Sequence, residues 1–246
     1  MTRFPDRLLA GLTLIGFLGM ANVAYAYLVA LFGYDDVLRE PVGVVLSRFA
    51  AGGPALVLAW AGFAWSALIF VLAAALLGRA LAREHGQSVW IATAAGAASG
   101  LIQAVGLLRW VFVVPSLAAG YGAPGASQAD RVAVAQIYNA LNQYGGVALG
   151  EHLGQMLLLA WSVGIIAACW RIGGALRWTS LLGLASLPLW ILGQTELFAT
   201  VAPDIRVFET TPLAFMIWMA WILALAVSLI VQRPRPHPAA LTETLI

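Results

Sequence analysis

Three ionisable side chains stand inside long apolar runs: Arg109, Glu151 and Glu196. His152 and Gln194 lie beside them in sequence, and Gln103, Gln155 and Asn22 have equally apolar surroundings. A charge in such a run is costly unless it is paired or faces a polar space, so each marks a candidate site. A buried carboxyl group near a guanidinium, with an imidazole adjacent, has the ingredients of acid/base catalysis, because burial and neighbouring charge tune its pKa. The same residues also suit a structural ion pair, or a polar pocket for a small molecule. Metal is not expected. A zinc site wants three or four nitrogen, sulfur or carboxylate ligands. The one set at hand is Glu151, His152 and Glu196, whose first two members point about 100° apart on an α-helix.

Other chemistries are excluded by residue type. All thirteen basic residues are arginine, so no lysine amine can form a Schiff base. The single cysteine, Cys169, cannot form an internal disulfide. His85 and His237 fall in polar segments, which excludes two-histidine haem ligation at membrane depth. Neither a serine–histidine hydrolase signature nor a Walker-type phosphate loop occurs. No cofactor is expected, and a formal charge of +2 is too small to suggest nucleic acid.

The elements that hold these residues follow from composition. Hydrophobic residues make up 62% of the 246 positions and charged residues 10%, whereas a soluble domain is about a quarter charged. The missing polar surface implies a lipid-facing one. A bilayer core needs about 20 apolar residues per helix, and six runs qualify: Leu8–Phe32, Ala55–Leu77, Trp90–Val114, Gly146–Trp170, Trp178–Val201 and Pro212–Val231. Each is too long for a strand, so the expected fold is all-α, an integral membrane six-helix bundle. Trp90, Trp170 and Trp178 mark ends as interfacial anchors.

Arginine bias sets the orientation. One side holds Arg3, Arg7, Arg79, Arg83, Arg171, Arg177, Arg233 and Arg235; the other holds Arg39, Arg48, Arg131 and Arg206. The richer side is expected inside, which makes both termini cytoplasmic and the membrane the inner (plasma) membrane. Residues 1–232 form a single six-span domain, and 233–246, with Arg233-Pro234-Arg235-Pro236-His237-Pro238, a disordered tail. A cleavable signal peptide is the rival reading of the first run, with Ala24-Tyr25-Ala26 as its small-residue site; the apolar stretch continues to Phe32, which favours a retained span.

With that topology the polar residues share a depth. Arg109 nears the outer end of the third span, and Glu151 and His152 come about five residues, or roughly 8 Å, into the fourth. Gln194 and Glu196 near the exit of the fifth, and Asn22 lies in the outer half of the first. The inner half has almost no comparable groups. One pocket opening outward is expected, rather than a through-going pore, with Arg109 facing Glu151 and with His152 or Glu196 within one water of them.

Gly146, Gly150 and Gly154 repeat every four residues and form a stripe that admits close helix approach. At 100° per residue, Glu151, His152 and Gln155 form a separate polar arc. Leucine at Gly150 is expected to disrupt packing, whereas leucine at Ala118, near an outer loop, is expected to be tolerated. Between the spans, Asp35–Gly53 suits a short helix on the membrane surface. Ser116 to Gly145 opens with a flexible turn at Gly120–Gly125, then reads as helical from Ala129 to Tyr144.

Several segments carry a resemblance. Gly100-Leu-Ile-Gln-Ala-Val-Gly-Leu-Leu-Arg-Trp-Val-Phe-Val-Val-Pro115, Asn142-Gln-Tyr-Gly-Gly and Gly150-Glu-His-Leu-Gly154 resemble the bacterial family called domain of unknown function 4386. Val37-Leu-Arg-Glu-Pro-Val-Gly and Arg48-Phe-Ala-Ala-Gly-Gly fit the same family. The resemblance covers most of the chain from the first span to the sixth. It implies a membrane topology and assigns no substrate and no residue role.

Three functions stay open on these grounds. The first is binding or translocation of a small or amphipathic molecule entering from the outer leaflet. The second is a membrane-embedded enzyme using Glu151 or His152 as an acid/base group. The third is a non-catalytic partner subunit, joined through the glycine stripe. The partners expected are the lipid bilayer, a small-molecule or lipid ligand, and a second copy of the chain.

Overall fold

The computed structural model describes residues 4–34, 36–85 and 87–231. In chain order its elements are α1 (Phe4–Phe32), a 3₁₀ turn (Asp36–Arg39), α2 (Val42–His85), α3 (Gln87–Phe112), α4 (Val114–Tyr121), α5 (Gln128–Leu141), a π-helical segment (Asn142–Leu153), α6 (Gly154–Ile172), α7 (Ala175–Ala199) and α8 (Thr211–Val231). No strand occurs among the described residues. Six stretches are long and apolar enough to cross a membrane: Pro5–Phe32, Val42–Ala82, Val89–Tyr121, Gln128–Ile172, Ala175–Ala199 and Thr211–Val231. The chain is an all-α, multi-pass membrane protein. Lipid offers backbone N–H and C=O groups no partner, so each spanning segment must satisfy its own, and helices do so. The tail over 233–246 and Arg3 lie outside the described residues.

The six spanning helices close into a ring. α1 packs on α2, α2 on α3, α3 on α6, α6 on α7, α7 on α8, and α8 returns to α1. One half of the ring is filled by aromatic side chains from four helices. Phe70 of α2 meets Trp161 of α6 at 4.9 Å between ring centroids and Phe17 of α1 at 5.2 Å. Trp218 of α8 closes on Phe17 and Phe70 at 6.1 and 6.0 Å, and its indole N–H donates to Ser162 Oγ at 3.0 Å. Gly96 makes room for Trp161, because a Cβ there would strike the indole. The plug sits near mid-length of these helices, and its core continues through Leu77, Leu81 and Val89 toward the end where α1 starts and α2 ends, which carries the Arg79–Asp6 ion pair at 2.6 Å.

At the opposite end a second core gathers Phe32, Phe49, Trp60, Trp110, Val114, Ala118 and Tyr138. Trp60 stacks on Trp110 at 4.6 Å with 7° between their planes. The helices here are longer than a bilayer requires. Gln128–Ile172 is 45 residues, about 65 Å of helix against a hydrocarbon layer of about 30 Å. The third connection, expected to turn at Gly120–Gly125 and to be helical from Ala129 to Tyr144, is mostly helical. α3 runs almost directly into α4, with Pro115 in its first turn where a missing N–H costs nothing. α5 starts on a capping box in which Ser127 and Asp130 bond reciprocally. Only the residues between Tyr121 and Gln128 remain as a turn.

Two expectations about this end need correction. The surface helix of the first connection forms as the first arm of α2, but its apolar residues Val45, Leu46 and Phe49 are buried in the second core. Ala118 is also buried there, at 4% exposure, so it is no tolerant control for a leucine substitution. The side chains on offer explain both: the extended α3–α4 and α5 give these residues an aromatic surface to pack on in place of lipid headgroups.

The first arm of α2 turns into its spanning arm at Gly53, whose backbone (φ 56°, ψ −154°) is closed to residues with a Cβ, and Pro54 follows. A Cβ at Gly53 would meet no atom within 4 Å. Substitution there tests strain alone. Gly53→Ala is expected to cost about 1–3 kcal/mol, seen as a lowered melting temperature in detergent. Gly16→Ala, at a helical glycine with equally open space, is expected to leave it unchanged or raised. Equal melting temperatures for the two variants would contradict the kink.

Candidate functional site

A cavity of about 120 Å³ opens at the end of the second core, lined by Tyr34 and Leu38, by Trp60 and Phe63 of α2, by Gln103, Gly106, Leu107, Arg109 and Trp110 of α3, and by Gly146, Gly150 and Glu151 of the π segment. Arg109 and Glu151 thus share one space, on facing helices. Arg109 is held on three sides. One guanidinium nitrogen donates to the Gly106 carbonyl and another to Asn142 Oδ1 at 3.0 Å. Its Cζ lies 5.3 Å from the Trp110 ring centroid, a cation–π distance.

The glycine stripe makes this possible. A Cβ on Gly146 would come within 2.6 Å of Arg109 Cζ, one on Gly106 within 2.7 Å of Gly150 Cα, and one on Gly154 within 2.7 Å of Gln103 Cγ. Residues 146, 150 and 154 therefore receive 109, 106 and 103 in turn, as antiparallel helices must. The stripe faces α3 inside the chain and forms part of the cavity wall, so it is neither a face apart from the polar residues nor a surface open to a second copy. Gln103 donates to Ser99 Oγ, and Ser99 donates to the Gly154 carbonyl, each at 2.8 Å.

The segment carrying Asn142, Glu151 and His152 is π-helical rather than α-helical, so the 100° spacing expected for these residues does not apply. Each π turn holds one more residue than an α turn, which widens the helix. Such turns are rare and recur at functional sites. A four-residue row still stays on one side, which is why the stripe survives.

His152 turns from the cavity toward α7. Its Nδ1 lies 2.8 Å from Gln194 Oε1, and Gln194 Nε2 donates to Gln155 Oε1. Gln194 Nε2 also faces the Trp190 carbonyl, which can only accept. That contact places the amide NH₂ on that side and the carbonyl toward His152, whose Nδ1 is therefore the donor. Phe198 packs edge-on against the imidazole at 5.1 Å. Glu196 goes elsewhere again, pairing with Arg39 of the 3₁₀ turn at 2.7 Å in a half-exposed position. Asn22 donates to the Leu18 carbonyl of its own helix. The candidate residues thus form three groups: Arg109 with Glu151 at the cavity, His152–Gln194–Gln155 between α6 and α7, and Glu196 with Arg39 at the rim. Glu151 and His152, neighbours in sequence, serve different groups. Among the described residues no three His, Cys, Asp or Glu side chains lie together as a metal site.

Sequence reasoning missed Asn142 and the aromatic walls. Asn142 had a usable signal, since it continues the four-residue row of Gly146, Gly150 and Gly154. Trp60 and Trp110 had none, because a tryptophan in a span reads equally as anchor, core or wall.

A family model described as Domain of unknown function (DUF4386) matches residues 9–232. No curated protein and no solved structure matches the chain.

Proposed function

The chain belongs to the DUF4386 family, and from that premise we propose that it binds a small or amphipathic molecule in the cavity between α2, α3 and the π segment. The observation that carries this reading is the placement of Arg109, Glu151 and Gln103 on the wall of one apolar cavity at one end of the bundle. Ligand sites are mostly apolar spaces with a few convergent polar groups, and this cavity has that make-up. The aromatic plug in the other half of the ring supports binding from one side over passage through the bundle.

The cavity end faces outward in this reading. Arg7, Arg79, Arg171 and Arg177 lie at the plug end, and Asp36, Glu40, Asp130, Asp204 and Glu209 at the cavity end beside Arg39, Arg48, Arg131 and Arg206; the eight-against-four arginine bias of the whole sequence supports a cytoplasmic plug end and an inner (plasma) membrane location. Cys169 is buried, so a cysteine introduced at Leu107 can be followed with little background. A small membrane-impermeant thiol reagent is expected to label Leu107→Cys in intact cells and to spare it in inside-out vesicles. A reporter fused after Val231 is expected to be active in the cytoplasm, and one exported with the Gly120–Gly125 turn to read as external. Labelling from the cytoplasmic face alone would reverse the orientation, and a folded protein unlabelled from both faces would remove the open cavity.

A further inference from the structure

At the plug end, away from the cavity, we infer that the α6–α7 hairpin binds an anionic phospholipid headgroup, its phosphate held by Arg171 and Arg177. α6 ends at Ile172 and α7 begins at Ala175. Only Gly173 (φ 79°) and Gly174 (φ 64°) join them, in left-handed backbone that suits glycine. So short a turn holds Trp170 and Arg171, at the end of α6, near Arg177 and Trp178, at the start of α7. Arg177 Cζ lies 4.4 Å from the Trp170 ring centroid and 5.8 Å from that of Trp178, both within cation–π reach. Arg109, Arg131 and Arg206 each face a single ring.

The ring contacts fix the Arg177 guanidinium and leave its charge unneutralised. All four side chains are exposed. Among the described residues no carboxylate pairs with Arg171 or Arg177, whereas Arg79, at the same end, pairs with Asp6. The counter-charge is left to the surroundings, and depth says what those are. The spans Gln128–Ile172 and Ala175–Ala199 meet at this turn, so it stands at headgroup level, where tryptophan collects. The anions concentrated there are lipid phosphates, and a guanidinium matches phosphate with paired N–H bonds. A zwitterionic headgroup would add a cation beside two arginines, so the hairpin favours a lipid of net negative charge.

The test titrates the full chain in detergent with phosphatidylglycerol and phosphatidylcholine of the same acyl chains, read by native mass spectrometry. An arginine near the membrane surface strengthens anionic-lipid binding about fivefold, so phosphatidylglycerol is expected to bind at least about tenfold tighter. Arg171→Gln and Arg177→Gln are each expected to cut that preference about fivefold, and the double variant to abolish it. Arg79→Gln removes the same charge from the same end, at a residue already paired, and is expected to keep the preference. Should the double variant not fold, the wild-type chain and a phosphatidylglycerol with a photoreactive headgroup still give an answer. Crosslinks are expected on the segment from Trp170 to Trp178. Equal binding of the two lipids, an intact preference in the folded double variant, equal losses in Arg79→Gln and Arg177→Gln, or crosslinks spread evenly over that end would each overturn the site. Release of bound phosphatidylglycerol by millimolar inorganic phosphate would overturn the assignment to a lipid. None of these outcomes bears on the cavity, which is tested separately.

Discussion

Gly106→Leu is expected to abolish the folded protein. A Cβ on Gly106 would lie 2.7 Å from Gly150 Cα and 2.8 Å from the Gly145 carbonyl oxygen. Both obstacles are backbone, so no rotamer change relieves them, and α3 must leave the π segment. Overpacking costs about 1–3 kcal/mol where side chains can adjust, and more where they cannot. Separating these helices would also draw Arg109 from Asn142 and uncover the Ser99–Gly154 bond. Gly150→Leu should do harm of the same kind but smaller, because its nearest obstacles stand at 3.3 Å. Gly19→Leu is the control: a Cβ there meets nothing within 4 Å. The monodisperse fraction of a fluorescent fusion on size exclusion reads all three. A wild-type profile for Gly106→Leu would mean that the two helices do not touch as described.

The second large effect concerns the charges. Arg109→Gln and Glu151→Gln are each expected to destabilise, by less than the roughly 3–5 kcal/mol of a fully buried pair because both residues are only part-buried, since removing one of two opposite charges on a shared cavity wall leaves the other without it. The double substitution is expected to cost clearly less than the sum, because neither charge is then left alone. Arg39 and Glu196 make the comparison informative. They form an ion pair at 2.7 Å, with side chains 55% and 30% exposed, and such pairs contribute about 0–1 kcal/mol. A double-mutant cycle on melting in detergent should show strong coupling for the first pair and little for the second. Additive losses at Arg109 and Glu151 would show that the two charges are solvated separately.

The six helices were legible because hydropathy reports the one constraint lipid imposes. The first run was read as starting at Leu8 and the helix starts at Phe4; the sixth was read from Pro212 and starts at Thr211. What lay beyond lipid was harder. Gln128–Leu141 has little net hydrophobicity, so its helix shows in a helical pattern rather than in an apolar run. The π segment was invisible in principle, since a four-residue row of glycines fits an α turn and a π turn alike. Shared depth suggests that Arg109, Glu151, His152, Gln194 and Glu196 lie in one layer. It could not say which neighbour each would choose, because that depends on helix rotation. Glu196 chose Arg39, a residue counted in sequence only for its side of the membrane. The cavity's apolar walls were the least legible part, because nothing in a tryptophan's position distinguishes one that lines a space from one that fills it.

Ring closure has a consequence for how the molecule is made. Of the six spans α8 is made last, yet it seals the ring against α1, the first of the six to appear. Its Ala226 carbonyl and Ile230 sit so close to Gly11 that a Cβ there would fall within 2.8 Å of both. Trp218 and Trp221, both fully buried, also arrive with it. Until then Phe17, Phe70 and Trp161 face an open groove, and α1 has only one neighbour. The nascent chain must therefore keep its first helix nearby through the insertion of the other five. The ring is completed only once α8 is made, and a message cut short before the codon for Thr211 would leave a seam that only lipid or an insertion chaperone could cover.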